Sequence, residues 1–346
     1  MPERKQRWCI LGSLTLCAML SAEVRSQTIS PKPADATTAQ KLWLGQYIAA
    51  DTLVLGEENG TLQLGRFTGP QGALHKAQDR EWEWTSSWFK DTRRVTLHGA
   101  ADRRPDSLAM NGQSYRRRIL DGEDGATFAI KPLFPFDELL RRAKAGHPPV
   151  EKGRFRTPDL IELKSVDSTI RYDIRYATTN NFMGAQFYSQ AKAFLQRPAA
   201  EAAARAHVWL RQFGYGILVH DAYRPWYVTK MFWDATPDLQ KEVFVADPSK
   251  GSRHNRGCAL DATLYHLDTG RPADMVSGYD EFSERAYPHY PGGTSLQRWH
   301  RELLRTALER EGFRVYEWEW WHFDFEGWKE WPIGVETFEE LGARRQ

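Results

Sequence analysis

A stretch rich in Pro, Gly and Lys near the middle of the chain separates two regions whose residue patterns differ. This stretch, residues 141–158, has the composition of a linker. The residues before it predict short strands, whereas those after it predict both strands and helices. With 346 residues, 41% of them hydrophobic, the chain is long enough to form two domains with separate cores.

The region before the linker, residues 41–140, is predicted to be a small antiparallel β domain. Two short apolar runs flank Asn59-Gly60, a pair that accepts the positive φ angles of a tight hairpin turn. A second hairpin is expected over residues 115–130. Because no cluster of His, Cys or carboxylate residues with ligand spacing occurs here, the sequence assigns this domain no role.

The region after the linker, residues 159–346, is predicted to be an α+β domain. The sequence indicates strands over 161–172, 217–219 and 313–325, and helices over 198–213 and 296–311. The first helix begins at a proline, and each helix is followed by a glycine, which is typical of helix ends. Strands and helices do not alternate regularly, which favours α+β over α/β.

The first 26 residues have the pattern of a secretory signal peptide. A basic start precedes an apolar run of 15 residues, shorter than the ~20 needed to cross a membrane. We therefore expect an exported protein, periplasmic or secreted, with no membrane span in the mature chain. Lipidation at Cys17 is disfavoured by the bulky Leu16 before it. Residues 27–40 are polar and predicted to be a flexible leader.

Charge and cysteine content narrow the class further. The chain has 47 basic and 45 acidic residues, so it lacks the basic excess of a nucleic-acid-binding protein. Of its three cysteines, only Cys258 follows the predicted signal peptide. An exported chain with one cysteine forms no internal disulfide, so its cores alone must stabilise it.

Two stretches, residues 252–261 and 317–323, carry the residues for metal chemistry. His254, Asp261 and His322 supply two imidazoles and a carboxylate. Hydrolytic zinc sites use three such ligands, keep a fourth position open and place a separate carboxylate nearby. Gly257 permits the close backbone approach that would turn His254 and Asp261 inward together.

The spacing leaves the identity of the separate carboxylate open. Glu319 lies three residues before His322, and positions three apart face opposite sides of an ideal strand. Either the strand is irregular, or Glu319 approaches from its end. Glu317 shares a face with Glu319 and is the competing candidate.

These motifs together resemble a known family. Ser-x-His-x-x-Gly-x-Ala-x-Asp over 252–261 and Glu-x-Trp-His over 319–322 look like the zinc D-alanyl-D-alanine dipeptidases, which include the vancomycin-resistance dipeptidases. Segments 173–182, 214–225 and 264–270 agree in the same order. The resemblance covers about residues 155–335 and does not include the β domain.

The resemblance implies both a fold and a metal centre. The fold would be α+β, with a central antiparallel sheet carrying the metal (D-Ala-D-Ala peptidase/hedgehog-like). One zinc ion per chain would be held by His254, Asp261 and His322. Glu319, rather than Glu317, would be the general base.

The resemblance also implies substrate contacts. Arg224 would stabilise the charge that develops on the carbonyl oxygen, although an ordinary ion pair with Asp221 is the alternative. Asp280 would bind the substrate ammonium, with Tyr176 and Ser252 completing the pocket. For these last three residues, a surface or turn position is the alternative.

Several other Cys, Trp and His residues near these motifs are expected to have structural rather than catalytic roles. Cys258 lies between two predicted ligands, but we expect it to be a small buried residue that points away from the metal. Trp320 and Trp321 either wall the pocket or pack in the core. His220 is expected to be packed at a strand end, and His300 to lie at the surface.

The predicted function is hydrolysis of D-alanyl-D-alanine, or a similar small D,D-dipeptide, in cell-wall peptide turnover. A D,D-carboxypeptidase or other peptidoglycan peptidase on the same metal site is an alternative that would not need the Asp280 carboxylate. A non-catalytic cell-wall-binding protein is a further alternative, against which an intact Glu319 argues.

Overall fold

The computed structural model describes residues 29–343, apart from residues 70, 79, 87–91, 100–102, 239–240 and 242. These residues form one hydrophobic core inside an N-terminal barrel and a larger core in the domain that follows. The predicted signal peptide lies outside the described residues. No helix within these ranges is long and apolar enough to cross a membrane.

Residues of the segment predicted to be a flexible leader, 27–40, contact the second domain from residue 29 onward. Ile29 packs against the larger core, and Trp299 Nε1 donates a hydrogen bond of 2.8 Å to the Ser30 carbonyl oxygen. Helix α1 (Thr38–Trp43) begins before the predicted leader ends.

Eight antiparallel strands close into a barrel in chain order, because the last strand pairs with the first. They are β1 (Gly45–Ile48), β2 (Thr52–Glu58), β3 (Thr61–Arg66), β4 (Gln71–Gln78), β5 (Glu81–Ser86), β6 (Thr92–His98), β7 (Ser107–Met110) and β8 (Gln113–Arg118). The predicted turn at Asn59-Gly60 joins β2 to β3, with φ angles of 48° and 85°. The prediction of an antiparallel β domain is confirmed, and its closure leaves no unpaired edge.

Apolar side chains from these strands fill the barrel interior. The buried set comprises Tyr47, Leu53, Leu55, Leu62, Leu64, Leu74, Trp82, Trp84, Val95, Leu97, Leu108 and Tyr115. Because successive strand residues point to opposite sides, these side chains face inward while their neighbours face outward.

The barrel ends at β8, before the predicted domain boundary. The hairpin predicted over 115–130 is wrong, because no strand follows β8 there. Helix α2 (Phe136–Ala145) packs into the larger core through Leu139 and Ala143, which lie one turn apart. The predicted linker over 141–158 therefore begins inside a helix of the second domain.

The second domain is a mixed α+β structure around a five-stranded sheet. The strands of the whole second domain are β9 (Leu160–Glu162), β10 (Arg171–Tyr172), β11 (Phe194–Gln196), β12 (Tyr215–Asp221), β13 (Ala259–His266), β14 (Phe313–Tyr316) and β15 (Glu319–Phe325). Its remaining helices are α3 (Arg197–Leu210), α4 (Trp226–Ala235), α5 (Ser295–Glu309) and α6 (Phe338–Ala343). The sheet order is β10-β12-β13-β15-β14, antiparallel except for the parallel β10–β12 pair. Helices α3 and α5 pack against each other and against the sheet.

The ends of the two long helices confirm the sequence signals. Helix α3 has proline in its first turn, and Gly214, with φ of 83°, closes the short 3₁₀ turn that follows it. Helix α5 starts with a capping box, in which Thr294 accepts from the Gln297 backbone and the Gln297 side chain accepts from the Thr294 backbone.

Two predicted strands are interrupted. The strand expected over 313–325 is the hairpin β14–β15, whose pairing shifts register after Val315 so that Tyr316 opposes Glu319. The strand expected over 161–172 is broken by a 3₁₀ turn at Leu163–Ser165. Both stretches are rich in apolar and aromatic residues, which indicates burial but does not reveal where the chain turns.

The β2–β3 hairpin fixes the barrel to the second domain. The Glu57 backbone N–H donates to the Gly293 carbonyl oxygen at 3.0 Å, and the Glu57 carboxylate accepts from the Ser295 N–H at 2.9 Å. Ser295 is the first residue of α5, and the N-terminus of a helix carries partial positive charge. The negative charge of a carboxylate is therefore favourable there. A small apolar cluster covers the same contact: Val54, Phe67, Val276 and Tyr290.

Candidate active site

Two neighbouring strands and one turn bring the three predicted ligands together. Strand β13 pairs with β15 so that Asp261 lies directly opposite His322. His254 begins a 3₁₀ turn that leads into β13 and ends at Gly257, whose φ is 64°. This positive φ favours glycine, and a Cβ at Gly257 would also lie 2.3 Å from Leu160 Cδ2, which would have to move.

The ligand atoms lie at contact distance from one another. His254 Nε2 is 3.1 Å from His322 Nδ1, and Asp261 Oδ1 is 3.3 Å from the first and 3.0 Å from the second. Asp261 Oδ1 is buried and has no hydrogen-bond partner among the described residues. A buried carboxylate oxygen without a donor is costly, so this convergence fits a bound cation.

The second nitrogen of each histidine is held by a neighbouring acceptor. His254 Nδ1 lies 2.6 Å from the Ala222 carbonyl oxygen, and His322 Nε2 lies 2.9 Å from Asp324 Oδ1. A proton on each of these nitrogens leaves a lone pair on the nitrogen that faces the centre. Metal-binding histidines are oriented in this way.

Electrostatics keep the Asp261 carboxylate ionised. Burial raises its pKa, but His254 and His322 more than offset this and hold the pKa well below its ordinary value. The Tyr279 hydroxyl donates to Asp261 Oδ2 at 2.8 Å. Burial lowers the pKa of His322, but Asp324 and Asp261 raise it to about 10, so a metal ion bound here would have to displace the Nδ1 proton. Two imidazole nitrogens and one carboxylate oxygen form a donor set that suits zinc.

Glu319 is the carboxylate beside this centre. It is the first residue of β15, and its Oε2 lies 3.8 Å from His322 Nδ1. Burial raises its pKa to about 8, against the opposing effect of His322. Glu317 is exposed in the turn before β15. Because the chain turns between Tyr316 and Glu319, Glu319 reaches the centre from the strand end.

Arg224 lines the same cavity and forms the ion pair with Asp221 that was weighed as the alternative. Its Nε and Nη2 lie 2.9 and 2.8 Å from Asp221 Oδ2, and its Nη2 is 3.9 Å from Asp261 Oδ2. Burial lowers its pKa, but Asp221 and the surrounding tyrosines raise it well above the ordinary value. The ion pair therefore orients a permanent cation toward the ligands.

The remaining predicted contacts, Asp280, Tyr176 and Ser252, also line the cavity. The Tyr176 hydroxyl donates to Asp280 Oδ2 at 2.7 Å. Asp280 has a left-handed backbone, with φ of 57°. Burial, together with the charge of Asp261, raises its pKa to about 8. Ser252 Oγ accepts from the His254 N–H at 3.2 Å and so also shapes the ligand-bearing turn.

The cavity has a volume of about 430 Å³. Its floor holds the three ligands, and its outer wall adds Phe244, Phe282, Arg253, Tyr316 and Trp328. A concave site in which polar groups converge beside apolar and aromatic walls is typical of small-molecule binding.

Comparison with known proteins decides the family. The sequence model of the D-ala-D-ala dipeptidase family matches residues 156–330, about half of the chain, and this range includes every predicted site residue. The chain belongs to this family.

Individual members of the dipeptidase family align over the same region. The D-alanyl-D-alanine dipeptidase of Escherichia coli (strain K12) is 32% identical over 182 residues, which cover 53% of this chain and 92% of that protein. The D-alanyl-D-alanine dipeptidase of Enterococcus faecalis (strain ATCC 700802 / V583) is 33% identical over 171 residues, which cover 44% of this chain and 85% of that protein. A solved structure of the LdcB LD-carboxypeptidase, 14% identical, covers 56% of this chain and 77% of that chain with a TM-score of 0.31.

Membership in the dipeptidase family confirms the resemblance noted in the sequence and makes the chain a metallopeptidase. The family match starts at residue 156, so the barrel lies outside the matched range. The His-Asp-His group lies within the matched range.

Three residues that hold the site were missed by sequence reasoning: Tyr279, Asp324 and Tyr188. Asp324 offered a signal, because it lies two residues after His322 on the same strand face. Tyr279 and Tyr188 offered none, because their contacts with Asp261 and Asp221 depend on how distant segments pack.

The neighbouring residues have structural positions. Cys258 is fully buried, and burial raises the pKa of its thiol to about 12. Trp320 and Trp321 belong to the core rather than to the cavity wall. His220 packs against the Tyr279 ring. His300 is buried rather than at the surface, a correction explained by its hydrogen bonds to Tyr215 and to the Asp274 carbonyl.

Proposed function

We propose that this protein is a zinc-dependent dipeptidase that hydrolyses D-alanyl-D-alanine, or similar D,D-dipeptides, to free D-amino acids. The observation that carries the proposal is the convergence of His254 Nε2, His322 Nδ1 and the unbonded Asp261 Oδ1 beside Glu319. The names of the relatives supply the substrate class. When bound by these three ligands, a zinc ion supplies Lewis-acid chemistry, which polarises the scissile carbonyl and activates water.

Glu319 is the general base in this proposal. Its carboxylate takes the proton of the attacking water and returns it to the nitrogen of the leaving amine. Its pKa of about 8, raised by burial, lies close to neutral pH. A group with such a pKa can both accept and release the proton.

Arg224 stabilises the negative charge that develops on the substrate carbonyl oxygen. Asp221 holds the guanidinium, and the Tyr188 hydroxyl donates to Asp221 Oδ1 at 2.8 Å. A cation fixed in advance needs little reorganisation during the reaction and contributes several kcal/mol, about 3 to 4 by analogy with oxyanion-hole donors.

Asp280, Tyr176 and Ser252 bind the amino-terminal end of the substrate. The Asp280 carboxylate is buried and bonded to the Tyr176 hydroxyl. A substrate ammonium beside it favours the ionised carboxylate and offsets the cost of its burial. Recognition of a free ammonium restricts cleavage to peptides that begin at this position.

The wider role follows from the sequence. The signal-like pattern of residues 1–26 supports export of the protein to the periplasm or beyond. Cell-wall peptides are released in that compartment. We therefore propose turnover of such peptides as the setting of the reaction. The likeness of the second domain to hedgehog-like folds stays a prediction.

One assay tests the proposal most directly. The purified mature protein is analysed for metal by elemental analysis, and D-alanine release is measured on D,D- and L,D-dipeptides before and after chelation. We expect one zinc per chain and a release that is lost on chelation and restored by Zn²⁺. A protein with no zinc-dependent release from any dipeptide contradicts the proposal, whereas cleavage confined to longer acyl-D-Ala-D-Ala peptides indicates a carboxypeptidase.

A further inference from the structure

One cation on the cavity wall takes part in none of the roles described above. Arg253 lies between Ser252 and the ligand His254, and its side chain is 39% exposed. It is thus a charged group at the mouth of a cavity whose floor is the proposed catalytic centre.

The surroundings of Arg253 fix the direction of its guanidinium. The central carbon of this group lies 5.8 Å from the Tyr316 ring centroid and 5.1 Å from the Trp328 ring centroid. Its Nε is buried, without a hydrogen bond among the described residues, and lies 3.4 Å from Asp324 Oδ2. This anchoring of the Nε end leaves Nη1 and Nη2, the paired donors that bind a carboxylate through two nitrogens, available to a ligand.

Arg253 and Asp280 line the same cavity but contact different residues: Asp280 accepts from Tyr176, and Arg253 Nε lies 3.4 Å from Asp324 Oδ2. Tyr279, the neighbour of Asp280 in the chain, donates to Asp261. Asp324, the neighbour of the Arg253 guanidinium, bonds to His322. One cavity therefore presents an acidic group and a basic group, and the residues that hold each of them contact different ligands. This separation of charge suits a zwitterion with an ammonium at one end and a carboxylate at the other.

The other cations of the cavity are less suited to a carboxylate. The Arg224 guanidinium is held by Asp221, close to the ligands. Lys250 is 80% exposed and lies 3.6 Å from Asp247. A solvated lysine is a mobile point charge, whereas an arginine held against aromatic rings is preorganised for planar recognition.

We propose that Arg253 binds the α-carboxylate of the carboxyl-terminal residue of the substrate. This inference rests on the proposed dipeptidase function and makes Arg253 a specificity-determining residue. It explains how the site would recognise the second terminus of a dipeptide and reject peptides that continue beyond it.

The test compares two substrates that differ only at this terminus, D-Ala-D-Ala and D-Ala-D-alaninamide, on the full zinc-loaded chain. For the wild type we expect kcat/KM to favour the free carboxylate by about 10- to 100-fold, the range for a hydrogen bond to a charged group. Arg253→Met should reduce this preference to within about threefold, mainly through KM. Arg253→Lys should recover part of it.

Controls separate the possible causes of failure. Arg314→Met removes an exposed arginine that pairs with Glu326 outside the cavity, and it should leave the preference unchanged. In a Glu319→Gln background, Arg253→Met should weaken the affinity for D-Ala-D-Ala by the same factor by which it reduces the preference in kcat/KM. If Arg253→Met does not fold, Arg253→Gln takes its place with the same expected result.

Two outcomes overturn the inference in different ways. Suppose the wild type cleaves D-Ala-D-Ala, but Arg253→Met keeps the full preference for the free carboxylate over the amide. This outcome refutes only the role of Arg253. A wild type that cleaves neither substrate refutes the proposed dipeptidase function, and the inference falls with it.

Discussion

The barrel and the second domain bury different kinds of side chain. Within the described barrel strands, the buried polar side chains are Gln46 and Glu57, and both contact the second domain. The second domain instead buries several charged groups around its cavity: Asp221, Arg224, His254, Asp261, Asp280 and His322. Charged groups are costly to bury, so their concentration in one place marks a site maintained for chemistry.

This contrast divides the molecule into two kinds of structure. The barrel interior is filled by apolar and aromatic side chains. The second domain places acids, imidazoles and a guanidinium in contact, which lowers stability unless a ligand or metal compensates. We therefore expect substitutions in the barrel to change stability, and substitutions in the cavity to change turnover.

The largest expected effect is on turnover. Glu319→Gln removes the proposed base while keeping its volume, and kcat should fall by about 10² to 10⁴. Metal content, measured by elemental analysis, should be retained, because Glu319 is not one of the three ligands. The matched variant Glu83→Gln changes an exposed barrel glutamate and should leave kcat unchanged. A comparable loss in both variants would remove the distinction between the two regions.

Leu108→Ala tests the barrel from its core. Leu108 is fully buried on β7, and removal of its side chain should lower the free energy of unfolding by about 2 to 5 kcal/mol. Denaturant titration measures this loss. Under conditions where the variant is folded, kcat on D-Ala-D-Ala should stay within about twofold of the wild type. A much larger fall would show that the barrel interior also determines the geometry of the cavity.

The contact between the regions should give the smallest effect. Glu57→Gln keeps the shape of the side chain but removes the charge at the start of α5, and should cost about 1 to 3 kcal/mol of unfolding free energy. Glu58→Gln is the control, because the Glu58 carboxylate is about half exposed and pairs with Arg298, so its loss should cost below about 1 kcal/mol. Equal losses would indicate that burial of Glu57 adds nothing to the contact.

Local sequence signals predicted much of the fold and the site. The Asn59-Gly60 turn forms because both residues tolerate positive φ, and Gly214, with its left-handed backbone, ends the 3₁₀ turn that follows α3. The histidines and Asp261 were found because ligand chemistry needs those side-chain types at close spacing. These features depend on a few neighbouring residues.

Features that depend on distant segments were not predicted. Closure of the barrel requires β8 to pair with β1, which are separated by more than sixty residues in the chain. The turn after Tyr316 has no glycine or proline to mark it, so the choice between Glu317 and Glu319 stayed open on spacing alone. The apolar face of α2, with Leu139 and Ala143 one turn apart, indicates burial, but its packing partner α4 lies in a distant segment that no pattern within α2 reveals.

Cys258 has a practical consequence for experiments on this protein. Its thiol is fully buried, and a pKa of about 12 keeps it protonated at neutral pH. It is the only cysteine among the described residues, so a cysteine introduced on the surface would be the only accessible thiol in that part of the chain. Fluorescent or spin labels can then be attached to the barrel and to the cavity rim at chosen points, and the distance between them followed as substrate binds.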